Sequence, residues 1–406
     1  MKQDWANDKL CDIVLIGDGN HSSNYPKKSE MVTEGIPFIR ATNIINGKIT
    51  KDDMRYITKE KHENLKKGRL LTGDILFSNR GQIGKMAIVN KSLNNSNLNS
   101  QLAWFRCLES INNKFLYYQL LSPIQFNKIM NQQSGTALQQ VTIRQLKNIE
   151  VSYPSLTEQK RIVAKLDDCF AAIDKARANV EKNLNNAKEL FQSQLNEIFS
   201  QKGDGWVDKI LDEIGEIQTG TTPSTKDKSN YGDFIPFVKP PHFKPDGSID
   251  AGNSMLSESG LKIGRLFPPN SVLMVCIGAT IGKTGFTETA VSSNQQINCL
   301  TPNENYYPKL LYYGLISPFV QKQVADIGRG AQATLPIINK TKWQGLSINI
   351  PESKSEQNKI VKQLDDLKSQ TQSLESNYQQ ELEALDELKK SILQKAFRGE
   401  LTIDNG

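Results

Sequence analysis

The residues of this 406-residue chain that could do chemistry include two stretches similar to a nucleotide phosphate-binding loop. Residues 278–284 (GATIGKT) have three residues between their glycines, whereas that loop requires four. Residues 81–86 (GQIGKM) have two, and Met86 stands where a Mg²⁺-binding hydroxyl is needed. Neither stretch predicts ATP binding. We expect each to form a tight turn between strands, with its lysine, Lys85 or Lys283, exposed beside it.

Other motifs for catalysis or cofactor binding are also incomplete. Residues 328–333 (GRGAQA) fit a relaxed dinucleotide fingerprint, but they follow a helix-like segment instead of a strand. Residues 239–242 (KPPH) resemble a motif of amino-methylating DNA methyltransferases, but Lys239 cannot accept a hydrogen bond from an adenine amino group. The 3 histidines are far apart and the 5 cysteines have no CxxC spacing. The sequence therefore predicts no catalytic residue, no cofactor and no metal site.

Loops in both halves of the chain carry polar side chains suited to DNA. Arginine can donate twice to guanine, Asn and Gln can pair with adenine, and Lys, Ser and Thr suit phosphates. The first-half candidates are Arg40, Asn43, Asn79, Arg80, Gln82, Lys85, Gln101, Gln133 and Thr136. The second-half candidates are Thr221, Thr222, Ser224, Lys239, His242, Lys244, Lys283, Asn294, Gln295, Gln296, Arg329 and Gln332. Exposed loops are polar in most proteins, so the argument rests on the corresponding positions of these segments in both halves.

Composition sets weaker limits on function. The net charge of +6 and pI of 8.8 are compatible with binding nucleic acid but do not establish it. Hydrophobic residues make up 37% of the chain, which excludes full disorder and suits a folded protein with much polar surface. No run approaches the roughly 18 apolar residues of a membrane helix, and the first residues lack a signal-peptide core. We therefore expect a cytoplasmic protein.

Internal duplication organises the whole chain. Short matches recur in unbroken order roughly 200 residues apart, which is too long a period for a solenoid. The matching pairs begin at Ile36 and Ile235, Ile83 and Ile281, Leu116 and Leu311, Ser122 and Ser317, Tyr153 and Ile350, Glu158 and Glu356, and Leu166 and Leu364. Each copy begins with short apolar runs between polar loops, which predict strands at 75–77, 86–89 and 272–275 and helices at 116–130 and 309–324.

Each copy ends in a segment with the properties of one long helix. Residues 158–199 and 356–397 contain no proline or glycine, and Gly203 and Gly399 follow at stop positions. Ser155 with Glu158, and Ser353 with Glu356, have capping-box spacing. Apolar side chains form a stripe at heptad spacing, which is regular in the second helix and looser in the first. These are Leu364, Leu367, Thr371, Leu374, Tyr378, Leu385, Leu388 and Ile392, and Leu166, Phe170, Ile173, Val180, Leu184, Ala187, Phe191 and Ile198.

An isolated amphipathic helix of this length is unstable in water, so each stripe needs a partner. The simplest partner is the other helix, and the alternative is local packing against the rest of each copy. We therefore predict an α/β (α+β) protein with two tandem domains, 1–157 and 203–355. Two long helices, 158–202 and 356–406 with its C-terminal tail, are expected to form an antiparallel intramolecular coiled coil with pseudo-two-fold symmetry.

Three segments resemble the specificity (S) subunits of type I restriction–modification enzymes. They are residues 158–163 (EQKRIV) with Leu166 and Asp167, residues 356–361 (EQNKIV), and residues 393–401 (LQKAFRGEL). The order of domain and helix also matches, so the resemblance covers essentially the whole chain. Asn358 replaces a basic residue of the pattern, and residues 199–203 are degraded relative to the second copy.

The resemblance implies a non-catalytic subunit in which each domain recognises one half of a bipartite double-stranded DNA site. The helices would set the spacer between the halves and dock two modification (methyltransferase) subunits, which bring S-adenosylmethionine. Restriction (translocase and endonuclease) subunits would complete the complex. The residues implied in partner binding are Arg161, Lys165, Lys359, Lys362 and Phe397. The alternatives are a coiled-coil scaffold and a stand-alone DNA methyltransferase or nuclease, for which the motifs are missing.

Overall fold

The structure, a computed structural model, describes residues 5–20, 25–133, 139–200, 204–329 and 337–401. Its internal contacts divide the chain into two compact units. Unit 1 contains Met1–Val180 together with Glu381–Gly406, and unit 2 contains Glu181–Gln380. Each unit therefore holds one domain and a part of both long helices.

The domain of unit 1 combines short strands with short helices. Its strands are β1 (Ala6–Lys9), β2 (Val14–Asp18), β3 (Met31–Val32), β4 (Ile36–Ile39), β5 (Ile44–Ile45), β6 (Lys48–Ile49), β7 (Arg55–Ile57), β8 (Ile75–Ser78), β9 (Met86–Ile88), β10 (Asn97–Leu98), β11 (Leu102–Cys107) and β12 (Glu150–Tyr153). Its helices are α1 (Leu10–Ile13), α2 (Lys59–Asn64), α3 (Asn113–Leu121), α4 (Pro123–Met130) and α5 (Ile143–Lys147). The long helix α6 (Leu156–Ser200) follows.

The domain of unit 2 follows the same order with fewer strands. Its strands are β13 (Trp206–Ile210), β14 (Gly215–Thr219), β15 (Tyr231–Val238), β16 (Met255–Leu256), β17 (Ser271–Val275), β18 (Thr284–Thr287), β19 (Ser292–Ser293), β20 (Ile297–Pro302) and β21 (Ser347–Pro351). Its helices are α7 (Leu211–Ile214), α8 (Glu258–Ile263), α9 (Pro308–Ile316), α10 (Pro318–Arg329) and α11 (Lys340–Gln344). The second long helix, α12 (Lys354–Arg398), follows β21.

The sheets confirm that the chain contains two copies of one domain. An antiparallel sheet has the strand order β2-β11-β8-β9 in unit 1 and β14-β20-β17-β18 in unit 2. A second sheet in each unit contains one parallel pair, β10 with β4 and β19 with β15. The first strand of each domain also pairs with the last, β1 with β12 and β13 with β21. The sequence matches therefore mark the framework of this fold.

The glycine-rich stretches form the tight turns that the sequence predicts. They connect the antiparallel pairs β8–β9 and β17–β18. Gly84 (φ 97°) and Gly282 (φ 89°) lie in the left-handed region, where a residue with a side chain is strained. The lysines that follow differ, because Lys283 is exposed whereas Lys85 is only partly exposed. Exposure of Lys85 is thus lower than predicted.

The predicted helix at 116–130 is divided into two helices by Ser122 and Pro123. Helix α3 ends at Leu121, and α4 begins with Pro123 at its first position, where the missing N–H costs nothing. The same break separates α9 from α10 at Ser317. The apolar periodicity continues across the break, which is why it indicated one helix.

The two long helices pair antiparallel inside unit 1. The Nζ of Lys389 on α12 lies 4.9 Å from the ring centroid of Phe170 on α6 and 3.8 Å from Asp174 Oδ1. Further along α6, Arg177 bonds to Asp386, which comes earlier in α12. Residue numbers therefore rise along one helix as they fall along the other, as the prediction of an antiparallel pair requires.

The predicted apolar stripe is buried mainly where a domain covers it. In unit 1, Leu166 and Phe170 share a core with Phe115, and in unit 2 Leu195 and Leu364 share a core with Tyr313. By contrast, Leu374 is 39% exposed and Leu388 is 47% exposed, although both fall on the heptad grid. The stripe is therefore a mixture of helix pairing and local core packing.

One buried glutamine also connects each domain to its long helix through hydrogen bonds. In unit 1, Gln159 Oε1 accepts from Asn112 N (2.7 Å), and its Nε2 donates to Ser110 O (3.0 Å) and Pro154 O (2.9 Å). In unit 2, Gln357 Oε1 accepts from Tyr307 N (2.9 Å), and its Nε2 donates to Pro351 O (2.9 Å) and Asn305 O (3.3 Å). Both side chains are fully buried. These glutamines join the loop before α3 or α9 to the start of the helix.

An aspartate eight residues after each of these glutamines makes a second connection between the domain and its long helix. Asp167 accepts from Tyr118 Oη (2.6 Å) and Lys114 Nζ (2.6 Å). Asp365 accepts from Tyr313 Oη and from Lys309 Nζ (2.8 Å). Burial and the hydrogen bond to the carboxylate both raise the pKa of each tyrosine, to well above its usual range. The tyrosines therefore stay protonated and keep donating.

Loss of the buried glutamine in unit 2 should destabilise that unit strongly. Gln357→Ala leaves the buried Pro351 carbonyl, the Asn305 carbonyl and the Tyr307 N–H without their partner, and we expect a cost of about 1–3 kcal/mol. The urea midpoint of the unfolding transition, followed by circular dichroism, measures it. Gln370→Ala on the exposed surface of the same helix is the matched control and should change the midpoint little. Equal midpoints for both variants would contradict this role.

Candidate nucleic-acid interface

Two short 3-10 turns carry the first candidates, one after β4 and one after β15. They span Ala41–Asn43 and Pro240–His242. In the first turn, Arg40 N donates to Asn43 Oδ1 (3.0 Å), and in the second, Lys239 N donates to His242 Nδ1 (3.1 Å). Different residues thus make the same closing hydrogen bond in the two units.

In unit 1 the side chains of this turn are held internally. Asn43 is fully buried, and its Nδ2 donates to Asp52 O (3.0 Å). The Arg40 side chain is 14% exposed, and its guanidinium forms an ion pair with Asp53 Oδ2 (2.8 Å), which lowers the pKa of that carboxyl. Asn43 therefore braces the loop and does not face outward, although its residue type suited base reading. Arg40 could reach DNA only by releasing Asp53.

The turn after β8 contains one buried and two more accessible candidates. Asn79 is 3% exposed, and its Nδ2 donates to Val141 O (3.1 Å), so it too braces a loop instead of facing outward. Arg80 is partly exposed and its backbone bridges to Gln140, while its Nε is buried without a partner in the described part of the chain. Gln82 at the tip is exposed.

A third matched pair of loops has the pattern Asn-x-Gln. Asn99 Nδ2 donates to Gln101 Oε1 (3.1 Å), and Asn294 Nδ2 donates to Gln296 Oε1 (2.9 Å). Gln101 is exposed and Gln296 is partly exposed. The Gln296 amide nitrogen makes a long hydrogen bond to Ile277 O (3.5 Å), so it could reach a base only by giving up that contact. Between Asn294 and Gln296, the exposed Gln295 accepts from the exposed Thr222 hydroxyl.

The remaining loop candidates are less constrained or are not described. Thr221 is partly exposed and its backbone N donates to Ser293 O (2.9 Å), while Ser224 is exposed. Gln133 is partly exposed and donates to the sulfur of Met130 (3.3 Å). The candidates outside the described residues are Thr136, Gln332 and the side chain of Arg329.

Lysines line a corresponding cleft in each unit, beside the glycine turn. The cleft of unit 1, about 500 Å³, contains Lys85 and Lys389 next to Tyr117. The cleft of unit 2, about 230 Å³, contains Lys244 and Lys283 next to Tyr312. Neither lining includes a carboxylate, although Lys389 lies near Asp174 and Lys244 pairs with Asp250 at 3.3 Å. Two lysines in one cleft suit an anion such as a phosphate.

The candidates for partner binding fall into two groups. Arg161, Lys359 and Lys362 are exposed on the first turns of the long helices, with Arg161 near Glu158 (3.7 Å) and Lys359 near Glu356 (3.8 Å). Lys165 is partly exposed and donates to Leu401 O (3.3 Å). Phe397 is different, because it is 5% exposed and its ring lies 5.3 Å from that of Phe115. It belongs to the core of unit 1, and that burial keeps its ring from a partner surface.

The described residues carry no group of three or more His, Cys, Asp or Glu placed to hold a metal ion. Among the helices in that part of the chain, none has the length and apolar content needed to cross a membrane.

Comparison with known proteins identifies relatives of both halves. The model of the type I restriction modification DNA specificity domain matches residues 2–183 and again residues 203–384. The type I restriction enzyme HindI specificity subunit of Haemophilus influenzae is 34% identical over 139 residues, which are 34% of this chain and 30% of that protein. This match therefore spans less than a third of that relative. The putative MjaX specificity subunit of Methanocaldococcus jannaschii is 24% identical over 99% of this chain and 94% of its own.

Two solved structures share the fold over nearly the whole chain. One is a chain from a study of complex assembly and conformational transition of the type I R-M system, with a TM-score of 0.79, 22% identity and 98% coverage of both chains. The other is the HsdS subunit from Thermoanaerobacter tengcongensis, with a TM-score of 0.60, 21% identity and coverage of 98% and 97%. These similarities support the tandem arrangement of two domains and two long helices.

Proposed function

Because the chain belongs to the family of type I restriction modification DNA specificity domains, which its sequence matches twice, we propose that it recognises DNA as the specificity subunit of such a system. The observation that carries the proposal is the pair of units with one framework and different loop side chains. Two related frameworks with different loops are what the reading of two different short sequences requires. Each unit would read one half of a bipartite site in double-stranded DNA.

The subunit would recognise the DNA sequence, and its partner subunits would catalyse the reactions on the DNA. Two modification (methyltransferase) subunits would bring S-adenosylmethionine and methylate adenine, and restriction subunits would add ATP-dependent translocation and cleavage. The exposed Arg161, Lys359 and Lys362 on the first turns of the long helices are the proposed partner contacts. Such a complex would act on chromosomal and invading DNA in the cytoplasm.

Sequencing of methylated bases in the host genome, with and without this gene, tests the proposal. We expect methylated adenines in a bipartite sequence with a constant spacer, and we expect them to disappear when the gene is deleted. Methylation that persists after deletion would contradict the proposal. So would methylation by the purified chain alone, because the methyltransferase subunits are then unnecessary.

The proposed DNA contacts should divide by their chemistry. Gln296→Ala or Arg80→Ala removes a base-reading donor, and we expect a loss of about 1–3 kcal/mol with relaxed specificity at one position. Lys283→Ala, and Lys85→Ala in the other cleft, remove a phosphate contact and should weaken binding to all sequences alike, with a smaller dependence on salt. Fluorescence titrations of the complex against oligonucleotides at several salt concentrations measure both effects.

Lys283→Arg is the control for the phosphate contact, because it keeps the positive charge in the cleft of unit 2. It should retain most of the affinity and the salt dependence of the unmodified complex. If the glutamine and lysine variants all weaken binding uniformly, the assignment of Gln296 and Arg80 to base reading is wrong.

A further inference from the structure

The two 3-10 turns share a closing hydrogen bond but leave different groups available. In unit 1, Asn43 Oδ1 accepts from Arg40 N and its Nδ2 donates to Asp52 O, and no part of the residue is exposed. In unit 2, His242 uses only Nδ1 to close the turn. The backbones correspond further, because Thr50 N donates to Asn43 O (2.9 Å) and Asp250 N donates to His242 O (3.0 Å). The turn is thus the same, and the side chain differs.

The closing hydrogen bond fixes the protonation of the imidazole. Lys239 N–H donates to Nδ1 at 3.1 Å, so Nδ1 is an acceptor and carries no hydrogen. A neutral ring must then carry its hydrogen on Nε2. His242 is partly exposed, and the one hydrogen bond of its ring among the described residues is the one to Nδ1, which leaves Nε2 available. Unit 2 therefore presents one N–H donor of fixed direction at this turn.

Burial and the neighbouring lysines favour the neutral form of the His242 ring. The pKa of His242 is lowered, first by burial and then by the positive charge of Lys239, with Lys244 acting in the same direction. Asp250 opposes them, but its carboxylate pairs with Lys244 Nζ at 3.3 Å. Because the folded state favours the neutral ring, the turn is fully formed above the unfolded pKa of about 6.5. It loses stability as the pH falls toward the lower folded value.

We propose that His242 determines specificity in unit 2 by donating Nε2–H to an acceptor on a base edge. A neutral donor fits a purine N7 or a keto oxygen in the major groove. Lys239 and Lys244 flank the ring and would supply the charge that holds the phosphates nearby. This inference rests on the proposed function, because it assumes that unit 2 reads one half-site. In unit 1 the equivalent turn would only support its loop.

His242→Asn tests the inference because the replacement is the residue that already closes the turn in unit 1. Its Oδ1 can accept from Lys239 N, while its shorter amide nitrogen no longer reaches the position of the outward imidazole Nε2–H. In the complex with methyltransferase subunits, we expect about a tenfold loss of discrimination at one base position of one half-site. The other half-site and the spacer should be unchanged. Methylome sequencing of cells that carry the variant, and competition binding with single-base variants of the site, measure this.

Three results would overturn the inference. They are an unchanged half-site, uniform weakening without a relaxed position, and relaxation at several positions, which would indicate a damaged loop. A pH series on the unmodified complex gives a second test that needs no variant. Discrimination in the half-site read by unit 2 should fall once the pH drops to the pKa of folded His242, which is lowered from the ordinary 6.5, and discrimination in the other half-site should not, because Asn43 does not titrate. Equal pH dependence of both half-sites would contradict a role for His242.

The same data separate this inference from the proposed function. If the unmodified complex produces no bipartite methylated sequence, the proposed function fails and the inference falls with it. If a bipartite sequence is present and His242→Asn leaves both halves intact, the inference alone fails.

Discussion

Replacement of residues 1–150 by the corresponding domain of a related specificity subunit is expected to change one half of the methylated sequence and leave the other half intact. The proposed reading loops of the first half-site all lie in unit 1, which has a core of its own. Few side chains then couple the two reading surfaces, so their contributions should be independent. Each mismatched base pair costs about 1–3 kcal/mol of binding free energy. If the two domains prefer half-sites that differ at several bases, methylation of the original half-site should disappear completely.

The structure sets the conditions that such a chimera must meet. The incoming domain has to offer a lysine and a tyrosine to Asp167, as Lys114 and Tyr118 do. It also has to offer a backbone N–H to Gln159 in the place of Asn112. A donor that lacks these groups would leave a buried amide and a carboxylate without partners, and the unit would unfold for reasons unrelated to recognition.

Sequencing of methylated sites in cells that carry the chimera provides the readout. The control is a chimera that exchanges residues 204–350 and keeps residues 1–150, and it should change only the other half. Modular reading would be wrong if either exchange altered both halves while the chimera remained folded and active.

The order of strands, turns and long helices could be predicted from the sequence, because individual glycines, prolines and apolar residues indicate where these elements begin and end. Glycine and proline punctuation set the turns, and two segments free of both could only be long helices or strands of improbable length. The duplication then indicated that whatever fold one half adopts, the other adopts too. The corresponding sheet orders of the two units follow from it.

The direction of polar side chains could not be predicted in the same way. Asn43 and Asn79 have the residue type of base readers, yet both point inward to satisfy backbone groups of their own loops. Whether an asparagine braces a loop or faces outward depends on the path of the neighbouring backbone, which the sequence does not give. For the same reason the heptad grid did not reveal that Leu374 and Leu388 would be exposed.

The repeat marked one further set of positions without revealing their structural role. Gln159 and Asp167 recur as Gln357 and Asp365. Because the two copies otherwise differ at many polar positions, polar residues that are the same in both are candidates for the same structural role. The structure assigns that role to the junction between each domain and its long helix. The motif used for the family resemblance therefore also fastens the reading domains in place.

Insertion of one heptad into both long helices is expected to lengthen the spacer between the half-sites without changing either half-site. Each helix has 45 residues, which span about 68 Å at about 1.5 Å per residue. Both helices contain residues of unit 1 and of unit 2, so we propose that their length is the ruler. Seven added residues contribute about 10 Å, which at about 3.4 Å per base pair gives up to about 3 further base pairs. Tilt of the helices against the DNA would reduce this to one or two.

The insertion points after Asn183 and after Glu381 suit this experiment for two reasons. Both residues are exposed and lie within three positions of the boundary between the units, so neither core is disturbed. A heptad also keeps the apolar stripe in register, because seven residues are close to two full helical turns.

Methylome sequencing of the variant reports the spacer directly. The control keeps the length of both helices. Among the seven residues after each insertion point, only the exposed ones are replaced by other polar, helix-forming residues. The spacer of this control should be unchanged. A heptad in only one helix should abolish methylation, because the two helices then no longer match. If the doubly lengthened subunit is active and keeps its original spacer, the distance between the half-sites is set by something other than the helices.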